Sequence, residues 1–148
     1  PAGAERVKWL APRELAEALG VTIVRYGAGN GRCVAELATA AEVRSAKPDM
    51  RRLATIPPWG VSITARSDDP RFDFVSRFFA PRQGIPEDPV TGSAHCTLVP
   101  YWSRRLGRRK LHALQVSARG GELFCEDRDD RVSIGGRAVI YLEGTIEV

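Results

Sequence analysis

Apolar and polar positions change their period several times along this chain, and each change marks an element. "APRELAEALG" reads as a short helix, with Pro12 near its first turn and Gly20 just past its end. "VTIVRY" and "RCVAELA" read as strands on either side of the turn "GAGNG", which predicts a hairpin. "AAEVRSAKPDMRRLATIP" predicts one or two short helices, broken at Lys47–Pro48 because a residue before proline avoids helical dihedrals. "GVSITAR" is a strand by its β-branched alternation, and "FDFVSRFFA" another by its aromatic content. Alternation is imperfect in the second, as for a strand covered on both faces. "SAHCTLVPYWSRRLG" carries Ala94, Leu98, Tyr101 or Trp102, and Leu106 at helical spacing. Pro100 is expected to kink or interrupt that helix, and Gly107 to close it. Beyond it "HALQVSAR", "GELFCED", "RVSIGG" and "AVIYLEGTIEV" read as strands, with Gly120–Gly121 at hairpin spacing. Several strands, one prominent helix and several more strands predict an α+β domain whose strands wrap around a central helix. No internal repeat divides the chain. Residues 1–11 read as a linker-like segment and 12–148 as a single domain.

Composition narrows the class. At 148 residues the chain is long enough for one real core, and its 43% hydrophobic and 27% charged content is that of a globular protein. No apolar run approaches the roughly 18 residues of a membrane span, and the first residues lack a secretory pattern. The sequence does not start with Met, which suggests processing, trimming or a longer parent chain. The net charge of +4 rests on arginine, clustered only in "RRLGRRK" at Arg104–Lys110. Without interleaved aromatics or a nucleic-acid motif, those cations are better read as favouring a helix C-terminus through its dipole. No nucleic-acid or membrane partner is therefore expected. Cys33, Cys96 and Cys125, odd in number and widely spaced, argue against a disulfide framework or structural zinc and for a reducing cytoplasm. With His95 and His112 as the only imidazoles, nothing calls for a metal.

The chemistry concentrates in "GIPEDPVTGSAHC", Gly84–Cys96. Thr91 or Ser93 suits a helix N-cap, and Gly92 allows close approach to the backbone. A helix starting there leaves the amides of Gly92, Ser93 and Ala94 pointing outward, where their dipole attracts an anion such as a carboxylate. Glu87 and Asp88 sit just before, where an acid can exchange a proton with a bound ligand. The plainer reading is structural: Asp–Pro opens turns and Thr-Gly-Ser starts helices. His95 is expected to pack or hydrogen-bond, and Cys96 to lie on a buried face as a small hydrophobe.

These residues also carry a resemblance. "RFFAPRQGIPEDPVTGSAHCTLVPYW", followed by "LQVSARGGEL" and "RVSIGGRAVI", resembles the phenazine-biosynthesis (PhzF-like) isomerase/epimerase family. The resemblance runs from about residue 10 to the end and is most specific from Arg77 to Cys96. It implies the diaminopimelate-epimerase fold, built from two α/β halves. Each half is a mixed, mostly antiparallel sheet or barrel around a central helix, here starting near Gly92. It implies catalysis in the cleft between halves by side-chain proton transfer on a small carboxylate-bearing substrate, with no metal or organic cofactor. Carried onto this chain, Asp88 becomes the acid/base or orienting group, and Thr91, Gly92, Ser93 and Ala94 the substrate-binding start of the helix. Gln115, Ser117 and Arg119–Gly121 match the following strand and hairpin, in a structural role.

The family's main catalytic glutamate and its glycine-histidine-proline motif belong to the first half, and neither is matched here. Glu14, Glu17 and Glu36 lie in no comparable motif. The resemblance therefore implies a second (C-terminal) half that supplies one side of a cleft and is inactive alone. Its partner would be the N-terminal half in a longer protein, a separate chain, or a second copy in a homodimer. The alternative is a non-catalytic binding or assembly module that keeps the fold.

Overall fold

The computed structural model describes residues 6–8, as backbone, and residues 13–146. The described residues form nine strands and four α-helices, a mixed α+β architecture with a curled sheet. The strands are β1 (Arg6–Lys8), β2 (Arg25–Gly29), β3 (Arg32–Glu36), β4 (Gly60–Arg66), β5 (Phe74–Ala80), β6 (Ile85–Asp88), β7 (Lys110–Gln115), β8 (Gly121–Arg128) and β9 (Arg131–Gly135). They follow the order β1-β2-β3-β4-β5-β7-β8-β9, with β6 attached to β5. Pairings β3–β4 and β5–β7 are parallel and the others antiparallel, because helical crossovers join only those two pairs. The helices are α1 (Arg13–Leu19), α2 (Ala40–Ser45), α3 (Met50–Thr55) and α4 (Gly92–Leu106).

Period-two alternation splits the core in two. On one sheet face Cys33, Ala35, Val61, Ile63, Val75 and Phe79 meet Leu15 and Leu19 of α1, Val43 of α2 and Leu53 of α3. On the other, Val34, Phe74, Phe78, Leu111, Ala113 and Leu123 meet Ala94, Leu98, Val99 and Trp102 of α4. Helices thus cover both faces. Six of the seven residues of β4 and of β5 are buried, as imperfect alternation requires.

Several expectations shift. The first hairpin turns at Asn30–Gly31, both with positive φ (51° and 75°), so β2 begins only at Arg25. Helix α4 runs through Pro100 without interruption, and Gly107 (φ 67°) closes it in the left-handed region. The connection from β7 to β8 spans residues 116–120 and is longer than a tight hairpin. Residues 138–146, expected as a strand, form no regular element. Val139, Ile140, Tyr141, Leu142 and Ile146 stand 82–97% exposed, because no neighbouring strand among the described residues offers them a partner. Arg6–Lys8, within the segment expected as linker-like, pairs with β2. The rest of that segment, Pro12 and the last two residues lie outside the described residues.

Candidate functional site

Strand β6 carries the acids. Glu87 forms a two-pronged pair with Arg77 of β5, at 2.7 and 3.0 Å. The same guanidinium donates to the carbonyls of Val43 and Ala46 at the end of α2, at 3.2 and 2.8 Å. Glu87 therefore ties β6 to the sheet, with both carboxylate oxygens held by Arg77. Asp88, next along, is half-buried, and its Oδ2 accepts the hydroxyl proton of Thr91.

Thr91, buried, is the N-cap residue of α4 by position, yet its side chain caps nothing because the hydroxyl turns back to Asp88. The first amides of α4 thus have no side-chain cap. Gly92 and Ser93 are exposed at this helix start, whereas the Ala94 side chain is 2% exposed and packs into the core. Of Ala94 only the backbone N–H can serve a ligand. A Cβ on Gly92 would meet nothing within 4 Å, so the site is open to solvent on that side.

Three elements brace this turn. Gln115 of β7, fully buried, accepts from Thr91 N–H (2.8 Å) and donates to the Asp88 carbonyl (2.7 Å) and Thr91 Oγ1 (3.1 Å). Ser117 donates to the Pro89 carbonyl (2.7 Å) and accepts from Gly120 N–H (3.1 Å). Gly121 lies so close to Val90 that a Cβ there would sit 2.3 Å from Val90 Cγ2. The third brace is Arg32 of β3, which stacks over Trp59 at 4.8 Å and donates to the Ser93 carbonyl at 2.9 Å. Arg32 pairs with no carboxylate among the described residues, so an uncompensated cation stands beside the helix start.

His95 is fully buried, and its Nδ1 donates to the Thr91 carbonyl at 2.8 Å. Its Nε2 then has no proton, and no hydrogen-bond partner reaches it. Burial holds its pKa below the ordinary imidazole value, against the weaker opposing effect of the bond to Thr91. Cys96 is exposed rather than buried: the stripe Ala94–Leu98–Trp102 faces the core, and Cys96 lies about 200° round the helix from Ala94. Cys33 and Cys125 are the buried thiols, and that of Cys125 is pushed up to about 12 by desolvation and secondarily by Cys96.

Asp88, Thr91, Gly92, Ser93 and the Ala94 amide thus come together at one end of α4, as their spacing suggests. Sequence reasoning missed Arg32 and gave Gln115 only a scaffold role. They reach the motif from 61 and 24 residues away, and no local pattern announces contacts at that separation. Two surface hollows of about 410 Å³ lie elsewhere; neither is lined by Asp88 or by the start of α4. Among the described residues no three His, Cys, Asp or Glu side chains cluster as metal ligands would, and no helix is long and apolar enough to cross a membrane.

Comparison with known proteins agrees with this architecture. A family model described as phenazine biosynthesis-like protein matches residues 4–144. An uncharacterised isomerase of Pseudomonas aeruginosa is 48% identical over 135 residues, 91% of this chain and 51% of that protein. A human phenazine biosynthesis-like domain-containing protein is 58% identical over 76 residues, 51% of this chain and 26% of that protein. The crystal structure of a PhzF-family phenazine biosynthesis protein from Enterococcus faecalis superposes with a TM-score of 0.89 at 38% identity, covering 100% of this chain and 56% of that one. The chain spans about half the length of the P. aeruginosa relative. With a match from residue 4 to residue 144, the chain belongs to the phenazine biosynthesis-like (PhzC-PhzF) family.

Proposed function

We propose that this chain is the second half of a cofactor-independent isomerase with the diaminopimelate-epimerase architecture, acting on a small carboxylate-bearing substrate. The observation that carries the reading is the uncapped start of α4 beside Asp88. Thr91, which would ordinarily close the helix, is turned onto the carboxylate, so the Gly92 and Ser93 amides are left for a ligand. Arg32 adds positive charge at the same place. A substrate carboxylate resting on these groups brings its neighbouring carbon toward Asp88. In the proposed step the C–H bond breaks, its electron pair delocalises toward the carboxylate-bearing group, and Asp88 takes or returns the proton. The opposing acid–base group and the other wall of the cleft come from a partner: an N-terminal half, a separate chain or a second copy. The names of the P. aeruginosa relatives, both called isomerases, support the reaction class.

A deuterium-exchange assay tests this. The chain is combined with the remaining half of the P. aeruginosa relative in D₂O, with a panel of small amino and hydroxy acids. Exchange next to the carboxylate is expected only when both halves are present. Asp88→Asn should lower the rate about 100-fold, the lower end of what a positioned acid–base group supplies. Ser93→Ala keeps the amide and removes the exposed hydroxyl beside it, and should raise KM with little change in kcat. Unchanged kinetics in both variants would reduce the motif to a helix start.

A second reading is a non-catalytic assembly module, and the exposed apolar run Val139–Leu142 favours it. Partner binding without exchange on any substrate would establish it. A nucleic-acid partner is disfavoured by charge pairing: Arg105 binds Glu36, Arg108 binds Asp73 and Arg109 binds Asp129. The cluster that looked basic in sequence is largely neutralised.

A further inference from the structure

We propose that Gln115 is a positioning residue for Asp88: acting through Thr91, it reserves Oδ2 as an acceptor and leaves Oδ1 as the oxygen that exchanges a proton. The assignment rests on reading Asp88 as the acid–base group. It follows from the directions of four hydrogen bonds.

The amide of Gln115 can stand only one way round. Thr91 N–H must donate, so it faces Oε1, and the Asp88 carbonyl must accept, so it faces Nε2. Nε2 has two protons; the second goes to Thr91 Oγ1. Thr91 Oγ1 is therefore an acceptor toward Gln115, and its single proton is available for one outward bond. That bond goes to Asp88 Oδ2. A proton arriving from a substrate then has Oδ1 as its place, because Oδ2 already receives the hydroxyl.

The same relay keeps the helix start open. A threonine at an N-cap position ordinarily accepts from a first-turn amide. Here the hydroxyl is drawn away on both sides, by Nε2 and by Oδ2, and no side chain caps α4. One buried glutamine thus orients the acid and clears the anion-binding amides. Burial makes the arrangement stiff: Gln115 is 0% exposed, and Ser117 of the β7–β8 connection and Gly121 at the start of β8 clamp Pro89 and Val90.

The test is an NMR comparison of the wild-type chain with Gln115→Leu, Thr91→Val, the double variant and Thr91→Ser. Two signals are read: hydrogen exchange of the Thr91 amide and the ¹³Cγ resonance of Asp88. In Gln115→Leu the Thr91 amide should exchange about tenfold faster while the amides of Leu98 and Val99 keep their protection. The Asp88 resonance should move in the same direction as in Thr91→Val, the double variant should move it no further, and Thr91→Ser should leave it in place. An Asp88 resonance that stays put in Gln115→Leu but moves in Thr91→Val overturns the relay. So does an equal acceleration of every amide in α4, β7 and β8, which would make Gln115 only a stabilising residue.

Should Gln115→Leu fail to fold, the isosteric Gln115→Glu retains an acceptor for Thr91 N–H and loses the Nε2 donors. It should move the Asp88 resonance with the Thr91 amide still protected; an unmoved resonance overturns the proposal. In the exchange assay, Gln115→Leu should lower kcat by the same factor as Thr91→Val, with Thr91→Ser restored. Absence of exchange in the wild-type pair would overturn the catalytic reading of Asp88, and the resonances would still decide the hydrogen-bond relay.

Discussion

At the scale of single residues, the candidate site is governed by side chains that accept or give hydrogen bonds inside a dry core. His95 is the titratable example. Folded, it is neutral because burial opposes the charged form, so its pKa lies below that of the unfolded chain. As pH falls through about 6.5 the unfolded state binds a proton that the folded state refuses, and stability drops until His95's own depressed pKa is reached. Above that window the effect vanishes. Urea midpoints measured from pH 7 to pH 5 should therefore fall in the wild type and be nearly flat over the same range in His95→Phe, which keeps the ring against Phe74. Gly121 shows the complementary steric limit. Gly121→Ala drives a methyl into Val90 and should cost about 1–3 kcal/mol. Combining it with Val90→Ala should recover part of that loss, and denaturant unfolding of the three variants checks both the cost and the recovery.

Between elements, charge does what apolar packing cannot at the rim of the sheet. Arg77 joins α2, β5 and β6: it satisfies the last carbonyls of α2 and holds Glu87 in a planar fork, with its own side chain only 12% exposed. Arg77→Met orphans a half-buried carboxylate and two carbonyls, and should cost about 3 kcal/mol. Arg77→Lys should not restore it, since a single ammonium cannot make both prongs and reach α2 together. Thermal unfolding of both variants measures this. Glu36 plays a similar part on the α4 side, bonded to Tyr101 and Arg105 of that helix, and burial with the Glu36 contact pushes the Tyr101 phenol up. The α4 stripe itself is carried by Leu98, Val99 and Trp102, whose indole N–H reaches Thr64 at 3.0 Å. That bond lets a large aromatic lie against the polar face of β4.

For the whole molecule, the curled sheet with helices on both faces closes two cores but leaves the segment after β9 uncovered. Val139, Ile140, Tyr141, Leu142 and Ile146 are more than four-fifths exposed, an apolar run larger than scattered surface hydrophobes. Since these side chains touch little of the domain, Ile140→Lys with Leu142→Lys should leave Tm unchanged. It should also abolish any concentration-dependent association seen by sedimentation in the wild type. A lowered Tm would mean that the segment packs on the domain.

The patterns of the chain determine its elements because they are local: β-branched alternation marks β4, aromatic content marks β5, and the Ala94–Leu98–Trp102 spacing with Gly107 makes α4. The D-P-V-T-G-S run likewise marks a helix start beside an acid, since capping chemistry lies within a few residues. The outward position of Cys96 is legible in the same way, because the stripe that runs from Ala94 turns it away from the core. What the sequence alone leaves open is where Thr91's hydroxyl points, which acid is engaged, and which distant side chain holds each. Those were decided by the parallel β5–β7 pairing and the β5–β6 register, which bring Gln115 under Thr91 and Arg77 against Glu87, and by the β3–β4 and β4–β5 pairings, which set Arg32 beside Ser93. A hydrogen bond needs its partner within about 3 Å. For partners many residues apart, only the tertiary fold closes that distance.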